Sequence, residues 1–290
     1  MLNFNAFAET VKAELGKVLV DFDITEQSIV KMNDMRLHGV VARRRGEDAG
    51  ATLYLDSAFE DYLNGESIEN IVMPMINTIL TADRCKPTTQ DLDLSFGNIK
   101  DRLSIRLIDT ERNKEYLKEH PYREIGAGLA IVAEIQMGND YSTVITNSIA
   151  EDYDTELLFD TAIGNMQSRH SAKLQSLEGA IFGEDRNVLA EGDDHIEGMY
   201  TLMLEDMPSF GASVLAYKGV GERISKMYGG SFFILPSSLH EVILLKADEG
   251  VSAEELKAMV VQANRIVVDP QDVLSDSVFY YGTDGLSRVA

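Results

Sequence analysis

Residues 231–247, SFFILPSSLHEVILLKA, decide the fold class. Two apolar runs, SFFIL (231–235) and EVILLKA (241–247), are rich in the aromatic and aliphatic types that suit a pleated, half-buried surface. Only Pro236 to His240 separates them. So short a link joins antiparallel neighbours, because parallel strands need a crossover of a dozen or more residues. The sheet that contains this hairpin is therefore not wholly parallel.

Outward from the hairpin, the last ninety or so residues alternate. MYTLML (199–204) and ASVLAY (212–217) read as strands, Gly221–Tyr228 as a helix, Ala253–Ile266 as a second helix and SVFYY (277–281) as a strand. Tyr280 and Tyr281 are adjacent in that strand, so their rings should face opposite sides of the sheet. Further upstream, GLAIVAEIQM (128–137) and YSTVITN (141–147) form a hairpin across the Gly138-Asn139-Asp140 turn. Asp154 caps a helix running to Met166, and residues 183–198 form an exposed acidic connection.

The N-terminal part opens with Phe4, Phe7, Val11, Leu15 and Val18 at spacings of three and four after Asn3, an amphipathic helix with a cap. SIVKMND, LHGVVARRR and ATLYLD then read as a three-stranded meander, followed by helices over Ser57–Leu63 and Ser67–Ala82, with Pro74 a kink site in the second. RLSIRLID (102–109) reads as a strand, and ERNKEYLKEH (111–120) as a polar helix stopped by Pro121. No solenoid repeat or low-complexity tract interrupts the chain. The expected class is α+β, with mixed or antiparallel sheets, packed helices, an N-terminal helix plus meander, and a C-terminal part in which α and β alternate. The expected division is 1–121 and 122–290.

The 290 residues carry 26 basic and 48 acidic side chains, a formal charge of −22. Residues 126–290 hold 10 basic against 26 acidic, so the C-terminal part is the acidic one. Such a field repels phosphate backbones and anionic membranes at long range, so neither direct nucleic-acid binding nor membrane binding is expected. Cys85 is the single cysteine, which excludes an intrachain disulfide and a Cys-rich zinc site. Its flanking Arg84 and Lys86 would lower a thiol pKa, although a plain surface thiol explains it equally simply. MLNFNAFAETVKAEL lacks the basic-then-apolar plan of a signal peptide, and no run of about 18 apolar residues occurs. The expected compartment is a reducing cytoplasm.

The segments HPYREIG (120–126), VITN (144–147), MYTLML (199–204), FGASVLAY (210–217), FFILPSSLHEVILL (232–245), VQANRIVV (261–268) and VLSDSVFYY (273–281) resemble, in order and spacing, a bacterial family catalogued as domain of unknown function fifty-six eighty-eight. The likeness covers nearly the whole chain and is most specific at ILPSSLHEV. That family occurs mainly in anaerobic Gram-positive bacteria, which implies an intracellular bacterial origin. It carries no activity, substrate or catalytic residue to transfer.

Four places hold residue types that do chemistry. Ser237, Ser238, His240 and Glu241 put two hydroxyls, an imidazole and a carboxylate on one loop between strands, a set suited to proton transfer or to binding a small polar group. Serines that satisfy turn amides and a histidine closing a sheet end give the architectural reading. Asp193, Asp194, His195 and Glu197 are hard ligands at close spacing, yet they lack both the HExxH and the EF-hand registers and read as a solvated loop. Gly219-Val220-Gly221 opens a helix, but Ile224 stands where a third glycine belongs and no Lys-Ser or Lys-Thr follows, so both nucleotide fingerprints fail. Arg43-Arg44-Arg45, Arg102, Arg106, Arg112, Lys114, Lys118 and Arg123 make the N-terminal part locally basic, as a soluble edge or as partners for the acidic half.

No Gly-x-Ser-x-Gly elbow is present. The expectation is a non-catalytic binding or interaction module with no metal or cofactor, its partner a protein or a small ligand. A hydrolase or transferase using Ser237, Ser238, His240 and Glu241 is the first alternative, and an acidic nucleic-acid mimic the second.

Overall fold

The Asn3 side chain accepts from the Ala6 amide and starts α1 (Phe4–Val18), partnering a donor that the first turn of any helix leaves free. Here and below the structure is a computed structural model; it describes residues 1–47, 50–84, 93–137, 142–248, 250 and 252–290. Within these, Met1–Leu92 and Asp93–Ala290 form two compact units.

In the first unit, β1 (Phe22–Val30), β2 (Arg36–Arg44) and β3 (Gly50–Tyr54) make the expected three-stranded meander in the order β1-β2-β3, although β1 starts six residues before the SIVKMND run and Met32–Asp34 of that run form a 3₁₀ turn. α2 (Asp56–Leu63) and α3 (Ile68–Arg84) follow, and α3 runs continuously through Pro74. Phe7, Val11 and Leu15 of α1 meet Val40 and Ala42 of β2 and Ile76 and Ile79 of α3 in one buried cluster. The three-four stripe on each helix and the period-two face of the sheet therefore close on the same core.

The second unit holds two antiparallel sheets. The first contains β4 (Leu103–Asp109), β5 (Tyr122–Gly126), β6 (Leu129–Gln136) and β7 (Ser142–Val144). β4 lies along one edge of β6, while β5 and β7 share its other edge. β6 is buried from Leu129 to Ile135, including Glu134, whose carboxylate is held by Arg106 at 2.5 Å. The second sheet has the order β13 (Gly285–Arg288), β12 (Phe279–Gly282), β10 (Phe232–Pro236), β11 (Val242–Lys246), β9 (Met199–Leu204), β8 (Ala172–Ser176). The expected 231–247 hairpin is present as β10 and β11 and forms the centre of this sheet.

The helices of this unit are α4 (Phe96–Ile99), α5 (Thr155–Arg169), α6 (Leu177–Ile181), α7 (Val188–Glu191), α8 (Val220–Tyr228) and α9 (Ala253–Ile266). α5 starts where Asp154 accepts from the Leu157 amide, the expected cap, and packs on β4. α9 lays Leu256 and Val260 over Phe233 and Leu235 of β10.

The α+β class stands, and all three sheets are antiparallel. Three details differ from the sequence reading. ASVLAY is not a strand: residues Pro208–Ala216 form a 3₁₀ run against β4 and β9. Its Ser213 hydroxyl accepts from the Leu107 amide at 3.1 Å and donates to the Ile105 carbonyl at 3.3 Å, occupying the outer edge of β4 that a strand would have taken. The polar helix expected over 111–120 reduces to a 3₁₀ turn at Tyr116–Lys118. The division falls before β4, earlier than 121, because β4 pairs along its length with β6. Cys85 and the Gly138-Asn139-Asp140 turn lie outside the described residues.

Candidate functional site

The loop between β10 and β11 was the leading sequence candidate. The Ser237 hydroxyl lies 3.3 Å from a Glu241 carboxylate oxygen, and the Ser238 hydroxyl accepts from the His240 amide at 3.0 Å. The Ser238 amide donates to the Glu241 carbonyl at 3.2 Å. Both hydroxyls therefore serve the turn itself, as Ser does where loop amides need partners.

Two other segments pin the same loop. The Leu239 amide donates to the Asp272 carbonyl at 2.8 Å, and the Ala212 amide donates to the Leu239 carbonyl at 3.1 Å. The His240 carbonyl sits where a Cβ on Gly211 would lie, so only glycine admits this approach. Asp272, which belongs to no motif in the sequence, stands 3.3 Å from His240 Nε2. The other ring nitrogen, Nδ1, is buried without a hydrogen-bond partner. A serine nucleophile needs its base's free nitrogen beside its hydroxyl. Here neither Ser237 nor Ser238 supplies a partner to Nδ1, so the loop joins the four candidate residues structurally without composing a relay.

The acidic connection is tied down from within. Arg186 bridges Glu191 at 2.6 Å and Asp193 at 2.9 Å, and His195 stands 3.2 Å from Glu197. Among the described residues, no three His, Cys, Asp or Glu side chains gather closely enough to hold a metal ion. The basic residues are mostly spent on ion pairs: Arg44 with Asp83, Arg45 with Asp23, Arg106 with Glu134, Lys114 with Glu111 and Lys118 with Glu115. Arg112 reaches Asp276, and Arg123 reaches Glu156 and Asp160, so two of them do meet the acidic half. The Arg123 guanidinium, bonded to Asp160, holds that carboxyl below its usual range.

Concavity lies elsewhere, at the turn from the 3₁₀ run into α8. A cavity of about 210 Å³ is lined by Leu202, Leu215, Ile224, Phe232 and Ile234 with Glu222 and Tyr281 at its polar side. A second, of about 360 Å³, is bordered by Gln167, Lys218 and Arg223. Tyr217, Lys218, Gly219 and Val220 line both. Gly219 has φ of 81°, a left-handed conformation that glycine takes without strain. The Gln167 side chain fixes the turn from α5, accepting from the Lys218 amide at 3.2 Å and donating to the Lys218 carbonyl at 3.1 Å. Tyr281 packs over Gly221 where any side chain would collide. Burial, then the neighbouring Glu222 carboxylate, pushes the Tyr281 hydroxyl up.

The glycines at this turn were visible in the sequence, but only as failed nucleotide fingerprints. The apolar wall was not, since it is assembled from β9, β10, α8 and the 3₁₀ run.

Fold and cavities together describe an α+β protein of antiparallel sheets with a small-molecule-sized hollow beside a glycine turn. The chain belongs to the Family of unknown function (DUF5688), whose model matches residues 4–283. No curated protein and no solved structure matches it. No helix among the described residues is long and apolar enough to cross a membrane.

Proposed function

We propose that the chain is a non-catalytic binding module that takes a small ligand with an apolar body and one anionic group at the Tyr217–Gly221 turn. The observation that carries this reading is the pair of hollows sharing Tyr217 to Val220, one walled by aliphatic and aromatic side chains and the other bordered by Lys218 and Arg223. Ligand sites have this make-up, an apolar lining with a few placed polar groups, and typical volumes of about 300–1,000 Å³. Among the described residues Lys218 has no ion pair, while the Arg223 guanidinium donates to the Leu189 carbonyl and keeps further donors.

A thermal-shift screen against carboxylate and phosphate metabolites tests it, because a ligand that binds only the folded chain raises the melting temperature by mass action. The expected result is a stabilising ligand whose effect disappears in Lys218→Glu. Hits that persist unchanged in Lys218→Glu, or a panel without any hit, would remove the basis for the site.

The enzymatic alternative has one observation in its favour, the His240–Asp272 pair at 3.3 Å. It requires a hydroxyl at Nδ1, which instead is buried and unpartnered. Turnover of esters, phosphates or peptides that Ser238→Ala or His240→Ala abolishes would restore it. The localisation we propose is cytoplasmic, in a bacterial cell.

A further inference from the structure

A smaller hollow of about 150 Å³ lies where the start of β4 meets the C-terminal end of α5. Arg102, Ser104, Gln136, Arg169 and His170 line it, with Asp101 at its rim. Five of these six are polar or charged groups that donate hydrogen bonds, drawn from the 3₁₀ turn Lys100–Arg102, β4, β6 and the end of α5. Sequence spacing gives no hint of this meeting, since Ser104 and His170 are brought together only by the packing of α5 on β4.

The two arginines stand out by how little they are engaged. Among the described residues Arg102 reaches only the Met137 sulfur, at 3.8 Å, and Arg169 donates to the Asp101 carbonyl at 2.5 Å. Among the described residues neither is ion-paired, although the chain has 48 acidic side chains for 26 basic ones. Arg44, Arg106, Arg112, Arg123, Arg186 and Arg288 all have a carboxylate. The Asp206 carboxylate is paired with His170 Nδ1 at 2.9 Å. Asp101 offers Arg169 its carbonyl, and among the described residues its side chain is in no ion pair.

Behind the arginines, the Ser104 side chain is all but inaccessible, and its hydroxyl accepts from Gln136 Nε2 at 2.8 Å. The hydroxyl hydrogen has only a long 3.5 Å contact, to the Glu134 carbonyl, so it can turn to a better acceptor. Two guanidiniums with spare donors and a buried hydroxyl face the hollow, with the Asp101 side chain at its rim. Guanidinium pairs bind oxyanions through parallel charge-assisted bonds, and do so best where the anion carries several oxygens. At about 150 Å³ the hollow is smaller than sites for whole cofactors, so it suits a single oxyanion group.

We infer that this hollow is a binding site for a phosphate-class oxyanion, either the free ion or the phosphoryl end of a small metabolite. It shares no lining residue with the clefts at the Tyr217–Gly221 turn, although the Tyr217 hydroxyl donates to the His170 carbonyl at 3.1 Å. The Arg102 and Arg169 variants separate its test from that of the proposed function, which turns on Lys218. The global charge of −22 opposes anions at long range, so binding here depends on the local arginine field.

The experiment titrates the full chain with inorganic phosphate at constant ionic strength, following the melting temperature and the phosphorus-31 line width against a chloride control. Saturable stabilisation by phosphate is expected, with displacement by sulfate. Arg102→Gln and Arg169→Gln should each weaken it by about tenfold or more, as loss of a charge-assisted pair does. Lys257→Gln, on the exposed face of α9, should leave it unchanged. Where a glutamine variant does not fold, Arg102→Lys or Arg169→Lys takes its place and should weaken binding less than the glutamine would. No saturable phosphate effect, or equal affinity in the arginine variants and the parent chain, overturns the inference. The phosphoryl-metabolite form predicts tighter binding for small phosphomonoesters than for phosphate, and the free-ion form predicts the reverse.

Discussion

The guanidinium of Arg288 stands 3.1 Å from the Asp109 carboxylate, joining the last strand of one sheet to the end of β4 in the other, and the Asp109 side chain is 2% exposed. Asp109 is further held by the Ser275 hydroxyl and by the Glu111 amide at 2.8 Å. Arg288 also donates to the Ala127 carbonyl at 3.0 Å, and its guanidinium fills the space where a side chain on Gly128 would stand.

Removing the arginine strands a buried charge. Arg288→Met should therefore destabilise the second unit by about 3 kcal/mol, the lower end for a broken buried pair because the guanidinium is partly exposed. Urea unfolding of the variant and of Asp109→Asn/Arg288→Met would test this. The double variant should recover part of the loss, since no carboxylate then remains unpaired; a double variant as unstable as the sum of the singles would contradict it.

Ser213 is predicted to matter through the edge of β4. Ser213→Ala leaves the Leu107 amide and the Ile105 carbonyl without their partner in a buried place. The expected loss is about 1–3 kcal/mol, the cost of unsatisfied buried groups. Hydrogen exchange should show the Leu107 amide losing protection ahead of its β4 neighbours, and unchanged protection would rule the edge-capping role out.

These two residues also mark what the sequence could and could not convey. The helices and the central hairpin were legible because their periodicities are local: Phe7, Val11 and Leu15 bury together whatever else happens. ASVLAY alternates like a strand, yet a polar edge elsewhere in the chain captured its serine and Gly211 let it approach His240, and tertiary partners override a propensity of that size. β5, β8 and β13 (YREIG, AKLQS and GLSR) carry too few apolar residues to show the run or alternation by which the equally short β10, β11 and β12 are read. The loop residues Ser237, Ser238, His240 and Glu241 are adjacent in sequence and so read as one group, but their surroundings are set by Asp272 and Gly211, which lie about thirty residues away on either side. Arg102 reads as one cation among several; that it lacks a carboxylate among the described residues is a property of space.

Gly211→Ala should disturb that loop more than any change to its own side chains. The added methyl meets the His240 carbonyl, so the loop or the 3₁₀ run must move, with a penalty of about 1–3 kcal/mol typical of overpacking. Ser238→Ala removes one bond to an amide in a half-buried turn and should cost about 1 kcal/mol or less. Chemical denaturation of the two variants side by side gives the ranking, and a larger effect from Ser238→Ala would refute the architectural reading of the loop.

Asn187 guards the free edge of β8. Its side chain accepts from the Leu174 amide at 3.2 Å and donates to the Ala172 carbonyl at 3.1 Å, while Gln175 donates to the Glu184 carbonyl. An edge strand left open invites pairing with another chain. Asn187→Ala should lower the melting temperature and raise the aggregation rate seen by light scattering, both together. A variant that is destabilised but stays monodisperse would show that the asparagine stabilises without shielding.

Tyr116, Tyr217 and Tyr228 set the alkaline limit. Burial raises each phenol above its usual value, helped by the Glu134, Asp206 and Tyr200 side chains respectively. Above the unfolded pKa of about 10, the unfolded chain releases these protons while the folded chain keeps them, so the folded state binds more protons and stability falls as pH rises. Below that pH the contribution is constant. In Tyr228→Phe one such group is gone, together with a hydroxyl that lies 3.2 Å from the Gly198 carbonyl and 3.3 Å from the Leu244 carbonyl. The variant should therefore be less stable than the parent at pH 8 by about 1 kcal/mol, the worth of a buried hydrogen bond, yet lose stability less steeply between about pH 10 and 12. Urea melts across that range measure both quantities, and parallel declines in the two proteins would mean that the buried phenol does not titrate with unfolding.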